Sequence, residues 1–177
     1  MKLKPKASVR AALSQDADAI AHVHVQSWRT TYKPIIPDEY LAGLDEKKWA
    51  VQWKEWLDRD IRVYVVELNN EVVGFVSGGI LREKGHSDHA ELYAIYLLAQ
   101  AQGRGLGKVL VKTLSNALMS DGFRTMLVWV LEQNPATCFY EHLGAIRVLE
   151  KEIEIGGANL REIAFEWTDL RSLAISS

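Results

Sequence analysis

The period of apolar and polar positions changes repeatedly along the chain, and each change marks an element. Ser8–Leu13 alternates weakly, as a short first strand does. Ser14 follows as a helix N-cap, with Asp16 and Asp18 in the first turn where the helix dipole favours negative charge. That helix is expected to reach about Arg29. Pro34 and Pro37 break the chain before a short helix over Asp38–Leu44. Trp49, Trp53 and Trp56 recur at helical spacing and mark the packed face of a third helix. Ile61–Leu68 is β-branched and apolar, Asn69-Asn70 is a turn, and Glu71–Leu81 is the returning strand. Gly74, Gly78 and Gly79 predict bends or bulges in that strand.

Arg82–Ala90 is a polar loop, Glu91–Leu98 a strongly apolar strand and Gln100–Gly107 a glycine-rich loop. Leu106, Leu110, Leu114 and Leu118 then recur every four positions, in a helix that Gly122 ends. Thr125–Leu131 reads as a buried strand. Asn134-Pro135 supplies an N-cap and a proline at the first helical position, for a helix that runs through Leu143 and stops at Gly144. Ala145–Ile155 and Leu160–Trp167 form a hairpin around Gly156-Gly157. The order predicts one α/β domain over 1–177, with a mixed central sheet of about seven strands flanked by helices.

Composition narrows the function. The 177 residues suit a single core, and 48% apolar with 25% charged residues is ordinary for a soluble globular chain. Lys plus Arg number 21 against 23 Asp plus Glu, a net charge of −2, which gives no global attraction to nucleic acid or an anionic membrane. The basic start (Lys2, Lys4, Lys6, Arg10) reads as a solvated terminus. The single cysteine, Cys138, allows no internal disulfide and fits a reducing compartment. No apolar run approaches the ~18 residues of a membrane span, and with no apolar h-region or small-residue cleavage site near Met1 a secretory signal is not expected. The expectation is a cytoplasmic protein with no nucleic-acid or membrane partner; the oligomeric state is left open, a homodimer included.

The candidate chemistry lies in strand, then Gln102-Gly103-Arg104-Gly105-Leu106-Gly107, then helix. Glycines let the backbone turn sharply and approach a ligand. A helix N-terminus offers unpaired N–H groups and partial positive charge, so the combination suits a phosphate or pyrophosphate, with Arg104 and Lys108 adding charge. A tight turn with no ligand is the competing reading. The P-loop pattern fails because Gln102 holds its first glycine position and Val109 follows Lys108. The dinucleotide fingerprint fails on glycine spacing and on the lack of an acid in Arg124–Leu131.

Gln102, Gly105 and Gly107, with Asn134, Phe139-Tyr140 and Gly144 further on, resemble the two ordered signatures of the GNAT superfamily of acyl-CoA N-acyltransferases. The likeness is strongest over Glu91–Ala145; Ala99 and Gln100-Ala101 depart from the family's usual residues. The resemblance implies an N-acetyltransferase that moves an acetyl group from acetyl-CoA to a primary amine of a small molecule or peptide by direct attack. It implies that the thioester lies between the strands Glu91–Leu98 and Thr125–Leu131. Backbone groups of Tyr96, Leu97 and Leu98 would bind its arm, and the Leu97 N–H would polarise the carbonyl. Gln102, Gly103, Arg104, Gly105, Gly107 and Lys108 would hold the pyrophosphate, with Asn134 a cap, a cofactor ligand or both. Tyr140 is the implied general acid. Glu91, which opens the central strand and shares side-chain parity with Leu97, is the candidate base or ammonium ligand. Trp28, Arg29 and Tyr32 are expected to wall the acceptor pocket.

Other residues carry less. His86, Asp88 and His89 only loosely resemble metal ligands, and no metal is expected. His22 and His24 cannot share a helical face. Cys138 has no evident base partner. Two rivals stand beside the enzyme: a non-catalytic acyl-CoA-binding sensor, and a different nucleotide-phosphate enzyme using the same loop.

Overall fold

The computed structural model of the chain describes residues 6–83 and 88–175. Among them, seven strands share one sheet: β1 (Ala7–Ala11), β2 (Arg62–Leu68), β3 (Glu71–Ile80), β4 (Ala90–Leu97), β5 (Met126–Leu131), β6 (Ile146–Ile155) and β7 (Ala158–Trp167). Their order is β1-β2-β3-β4-β5-β7-β6, and every pairing is antiparallel except β4 with β5. The expected mixed sheet is therefore present. β7 lies between β5 and β6 because the hairpin folds back through Gly156 and Gly157, both with positive φ.

Helices cover two faces. On one, α4 (Leu106–Ser120) buries Leu106, Leu110, Leu114 and Leu118 against Val76, Leu92, Val128 and Phe165. Each buried leucine contributes roughly 1.5–3 kcal/mol, so this stripe fixes α4 over the centre of the sheet. Gly78 permits the approach, since a Cβ there would stand 2.9 Å from Leu114 Cδ2. On the other face, α1 (Ala17–Thr31) and α3 (Glu46–Leu57) bury Ile20, Val23 and Trp53 against Val63, Val65 and Phe75. α2 (Asp38–Ala42) and α5 (Ala136–His142) are short helices at the end of the sheet where β4 and β5 terminate. No helix among the described residues is long and apolar enough to cross a membrane.

Three details differ from the sequence reading. Ser14 makes no cap: Ser14–Asp16 is a 3₁₀ turn, and the Asp16 carboxylate accepts the Leu13 N–H at 2.7 Å. Arg10 grips the same carboxylate with two N–H groups, at 2.7 and 2.9 Å, which holds the Asp16 carboxyl below its usual range. A terminal helix, α6 (Arg171–Ile175), has too few residues to show a period and is held by the buried Leu170 and Leu173. Third, Ser77 pairs with Ala94 but Gly78 pairs with Leu92, so Tyr93 is an extra residue in β4. Such a bulge reverses side-chain parity beyond it. Leu92 and Leu97 consequently face α4 together, while Tyr96 packs on the opposite face. Glu91, opposite Leu127 in register, shares the face of Tyr96 and not that of Leu97, contrary to the parity expected from the sequence.

Candidate active site

β4 and β5 pair only at Ala90↔Met126, Glu91↔Leu127 and Leu92↔Val128, and beyond Leu92 they part. The gap opens a cleft of about 720 Å³ whose walls include Leu92–Leu97, Val128–Val130, Gln102, Gly103, Gly105–Lys108 and the start of α5. The Leu98 N–H donates to Val73 O at 2.9 Å, so Leu98 faces β3 and its N–H is not available to a ligand. Antiparallel alternation then turns the N–H of Leu97 away from β3 and into the gap. The Leu97 carbonyl accepts from Gln102 Nε2 at 3.1 Å and from Ser27 Oγ at 3.4 Å. Gln102 therefore ties the loop to the strand end. Tyr96 pairs its backbone with Phe75, and its contribution to the cleft is its phenol.

The loop turns through Gly103 (φ +71°) and Gly105 (φ +76°) into α4. The first N–H groups of α4 lack intrahelical acceptors, and Gly105, Leu106, Gly107 and Lys108 all border the cleft. Arg104 is exposed on the loop beside them. Space is not what selects glycine at Gly105, because a Cβ there would meet nothing within 4 Å. The left-handed backbone is, at roughly 1–2 kcal/mol for an L side chain. Gly105→Ala is thus expected to let the free loop relax and to lower coenzyme A affinity about 5- to 30-fold in calorimetry. Unaltered affinity in a folded variant would show that the loop does not grip the ligand.

Hydroxyls also converge at the cleft. Tyr32 Oη and Tyr96 Oη are 3.2 Å apart, and Asn134 Nδ2 donates to Tyr32 Oη at 3.2 Å. Asn134 Oδ1 also accepts the Ala136 N–H at 2.9 Å, so the residue orients a phenol and holds the turn into α5; the N-cap position itself is Pro135, one residue later than the sequence predicts, because Pro135 already has helical backbone angles. Tyr140, on α5, is buried and lines the cleft. Burial raises the pKa of Tyr140, Tyr96 and Tyr32 above the ordinary phenol value; for Tyr32 the hydrogen bonds from Tyr96 and Asn134 oppose that rise. Trp28 packs edge-on to Tyr32 at 4.9 Å. Its buried Nε1–H makes no hydrogen bond within ordinary limits, though it lies close enough to Tyr96 to favour the phenolate slightly.

Two expected site residues are engaged elsewhere, and Trp28 and Arg104 are likewise not among the cleft's lining residues. The Glu91 carboxylate is buried and bound by Arg82, which donates its backbone N–H at 3.1 Å, its Nε at 3.2 Å and its Nη2. Glu91 is not among the cleft's lining residues. Arg29 donates to Leu41 O at 3.2 Å and Leu44 O at 2.8 Å, which ties α1 to the end of α2. The acceptor side of the cleft is bordered instead by Thr30, Thr31 and Tyr32. No sequence signal marked Arg82 or the two threonines. Among the described lining residues there is no aspartate, glutamate or histidine; the titratable groups are Tyr32, Tyr93, Tyr96, Tyr140 and Lys108. His86 lies outside the described residues, and His89 Nδ1 is 2.9 Å from Thr125 Oγ1. No group of three or more metal-ligating side chains converges among the described residues.

A parting parallel strand pair, a glycine turn into a helix N-terminus and a buried phenol in the same cleft are the arrangement of an acyl-transfer enzyme. The family model described as "Acetyltransferase (GNAT) family" matches residues 23–145, and the chain belongs to that family as an N-acetyltransferase. It is 42% identical over 166 residues to the Uncharacterized N-acetyltransferase YuaI of Bacillus subtilis (strain 168), covering 94% of this chain and 95% of that protein. Its fold is similar to that of a PaiA N-acetyltransferase from Thermoplasma acidophilum in complex with coenzyme A, with TM-score 0.68, 18% identity and coverage of 92% of this chain and 99% of that one. It is similar also to YncA from Salmonella typhimurium, solved with its cofactor acetyl-CoA, with TM-score 0.70, 21% identity and coverage of 93% and 94%.

Proposed function

We propose that the protein transfers an acetyl group from acetyl-CoA to a primary amine of a small molecule, entering from the Tyr32 side of the cleft. The observation that carries this reading is the Leu97 N–H, turned into the gap between β4 and β5, with Tyr140 lining the same cleft. Acetyl-CoA supplies a thioester that an amine can attack directly. The first N–H groups of α4 and the turn at Gly103–Gly105, with Arg104 and Lys108, hold the pyrophosphate. The Leu97 N–H stabilises the oxyanion that forms at the carbonyl, commonly the largest catalytic contribution. The amine nitrogen forms the new C–N bond, the C–S bond breaks, and Tyr140 donates its proton to the departing thiolate. The proton of the amine leaves through water, because Glu91 keeps its carboxylate on Arg82 and lies off the cleft lining.

Thiol release from acetyl-CoA, measured across amino acids, polyamines, aminoglycosides and short peptides, tests the proposal. At least one amine class is expected to raise release above the hydrolysis blank. A blank-level rate for all of them, with coenzyme A binding intact, would make the chain a non-catalytic acyl-CoA-binding protein.

A further inference from the structure

The sheet face opposite α4 carries a second arrangement, outside the motifs of the cofactor cleft. Three neighbouring strands bring Lys151 (β6), Glu162 (β7) and Trp129 (β5) together. Lys151 and Glu162 are directly opposite in register, and Glu162 is opposite Leu131, two residues on from Trp129. Lys151 Nζ lies 3.9 Å from the centroid of the Trp129 ring and 3.6 Å from Glu162 Oε2. An ammonium between an indole face and a carboxylate is attracted by the ring quadrupole and by the opposite charge. The place adjoins the reaction site through Trp129, which lines the cleft; Glu162 is not itself a lining residue, though it is near enough to add to burial in raising the Tyr32 pKa. Arg82, whose charge Glu162 also feels, is already neutralised by Glu91. That leaves Lys151 as the cation seated on Glu162, and its side chain is 45% exposed, free to withdraw into solvent.

We propose that Trp129 and Glu162 form a cation subsite for the acceptor, which Lys151 fills until an acceptor displaces it. A subsite that favours charge disfavours the neutral nitrogen that must attack the thioester. The group bound between Trp129 and Glu162 is therefore a second cation of the acceptor, while the nitrogen to be acetylated lies uncharged beside Tyr32 and Tyr96. This assigns the acceptor to the small diamines and polyamines, and it rests on the acetyl-transfer reading above.

Calorimetric titration of unbranched α,ω-diamines and their matched monoamines into the coenzyme A-saturated protein tests it. At least one diamine is expected to bind about tenfold or more tighter than its monoamine, the effect of ~1.4 kcal/mol. Glu162→Gln is expected to abolish that advantage. Lys151→Met, which removes the internal occupant, is expected to raise diamine affinity. A merely structural ion pair would move both variants in the same direction, so the opposite signs separate the two roles. Equal binding of diamines and monoamines, or weaker diamine binding in Lys151→Met, overturns the subsite. Thiol release from acetyl-CoA is followed in parallel. Diamine binding without release upholds the subsite and sinks acetyl transfer to diamines; release from monoamines with no diamine advantage does the reverse.

Discussion

Tyr140→Phe is expected to bind coenzyme A as tightly as the parent chain and to turn over about 100- to 10,000-fold more slowly, the range ascribed to a positioned general acid. The phenol is buried on α5 and lines the cleft, while its ring packs against Phe165 and Trp167. Phenylalanine keeps that packing and removes only the hydroxyl, so the folded state is preserved and the loss falls on kcat. Calorimetry with coenzyme A and single-turnover thiol release separate the two quantities. Full turnover in a variant that binds normally would remove Tyr140 from the mechanism. The pH dependence gives an independent check. Burial raises the Tyr140 pKa, so the phenol stays protonated, and able to donate, beyond the ordinary phenol value of about 10. The rate is therefore expected to climb as the amine loses its proton and to show no falling limb below about pH 10. A falling limb near neutrality would point to a different acid.

The second large effect concerns stability. His24 is buried beneath α3, where the Trp53 Nε1–H donates to its Nδ1 at 3.1 Å and the Trp49 and Tyr96 rings lie at 4.2 and 5.5 Å. Desolvation pushes its pKa from 6.5 down to about 4. The imidazole is neutral in the folded protein while the unfolded chain takes up a proton first as pH falls. The stability it confers is thus complete above pH 6.5 and is lost as pH falls through about 4. The shift amounts to about 3 kcal/mol, a large part of a typical folding free energy. Urea denaturation at about pH 7 and about pH 4.5 is expected to show a drop in the parent chain. His24→Asn, which keeps a neutral acceptor but cannot be protonated, is expected to reduce that drop. An identical drop in both proteins would mean that other groups cause it. Asp16 is one that contributes only at lower pH, since Arg10 holds its carboxyl below 3.8.

Much of the fold and of the site was legible because it is local. The leucines of α4 and the tryptophans of α3 mark their faces by spacing alone, and both stripes pack inward as that spacing requires. The turn through Gly103 and Gly105 is legible because a left-handed backbone leaves glycine little competition. Asn134 and Tyr140 stand out by their order after β5, and both reach the cleft. What was not legible depends on register and on distant partners. One extra residue at Tyr93 reverses the side on which Glu91 lies relative to Leu97, and no pattern within β4 announces it. Arg82 binds Glu91 from across a loop, and Arg29, read as a pocket residue, reaches the carbonyls that end α2.

By itself the sequence determined the order of the seven strands and of α1 to α5, the glycine turn into α4 and the family, since each is set by short-range sterics and by periods of two or 3.6 residues. Tertiary structure alone decided how far β4 and β5 run together before parting, and which phenols meet: Tyr32 and Tyr96 are 64 positions apart in the chain. It alone set Lys151 over Trp129. The reason is physical. Contacts between remote strands follow from sheet register and from how the two faces are packed, and those are properties of the whole core, not of any one segment.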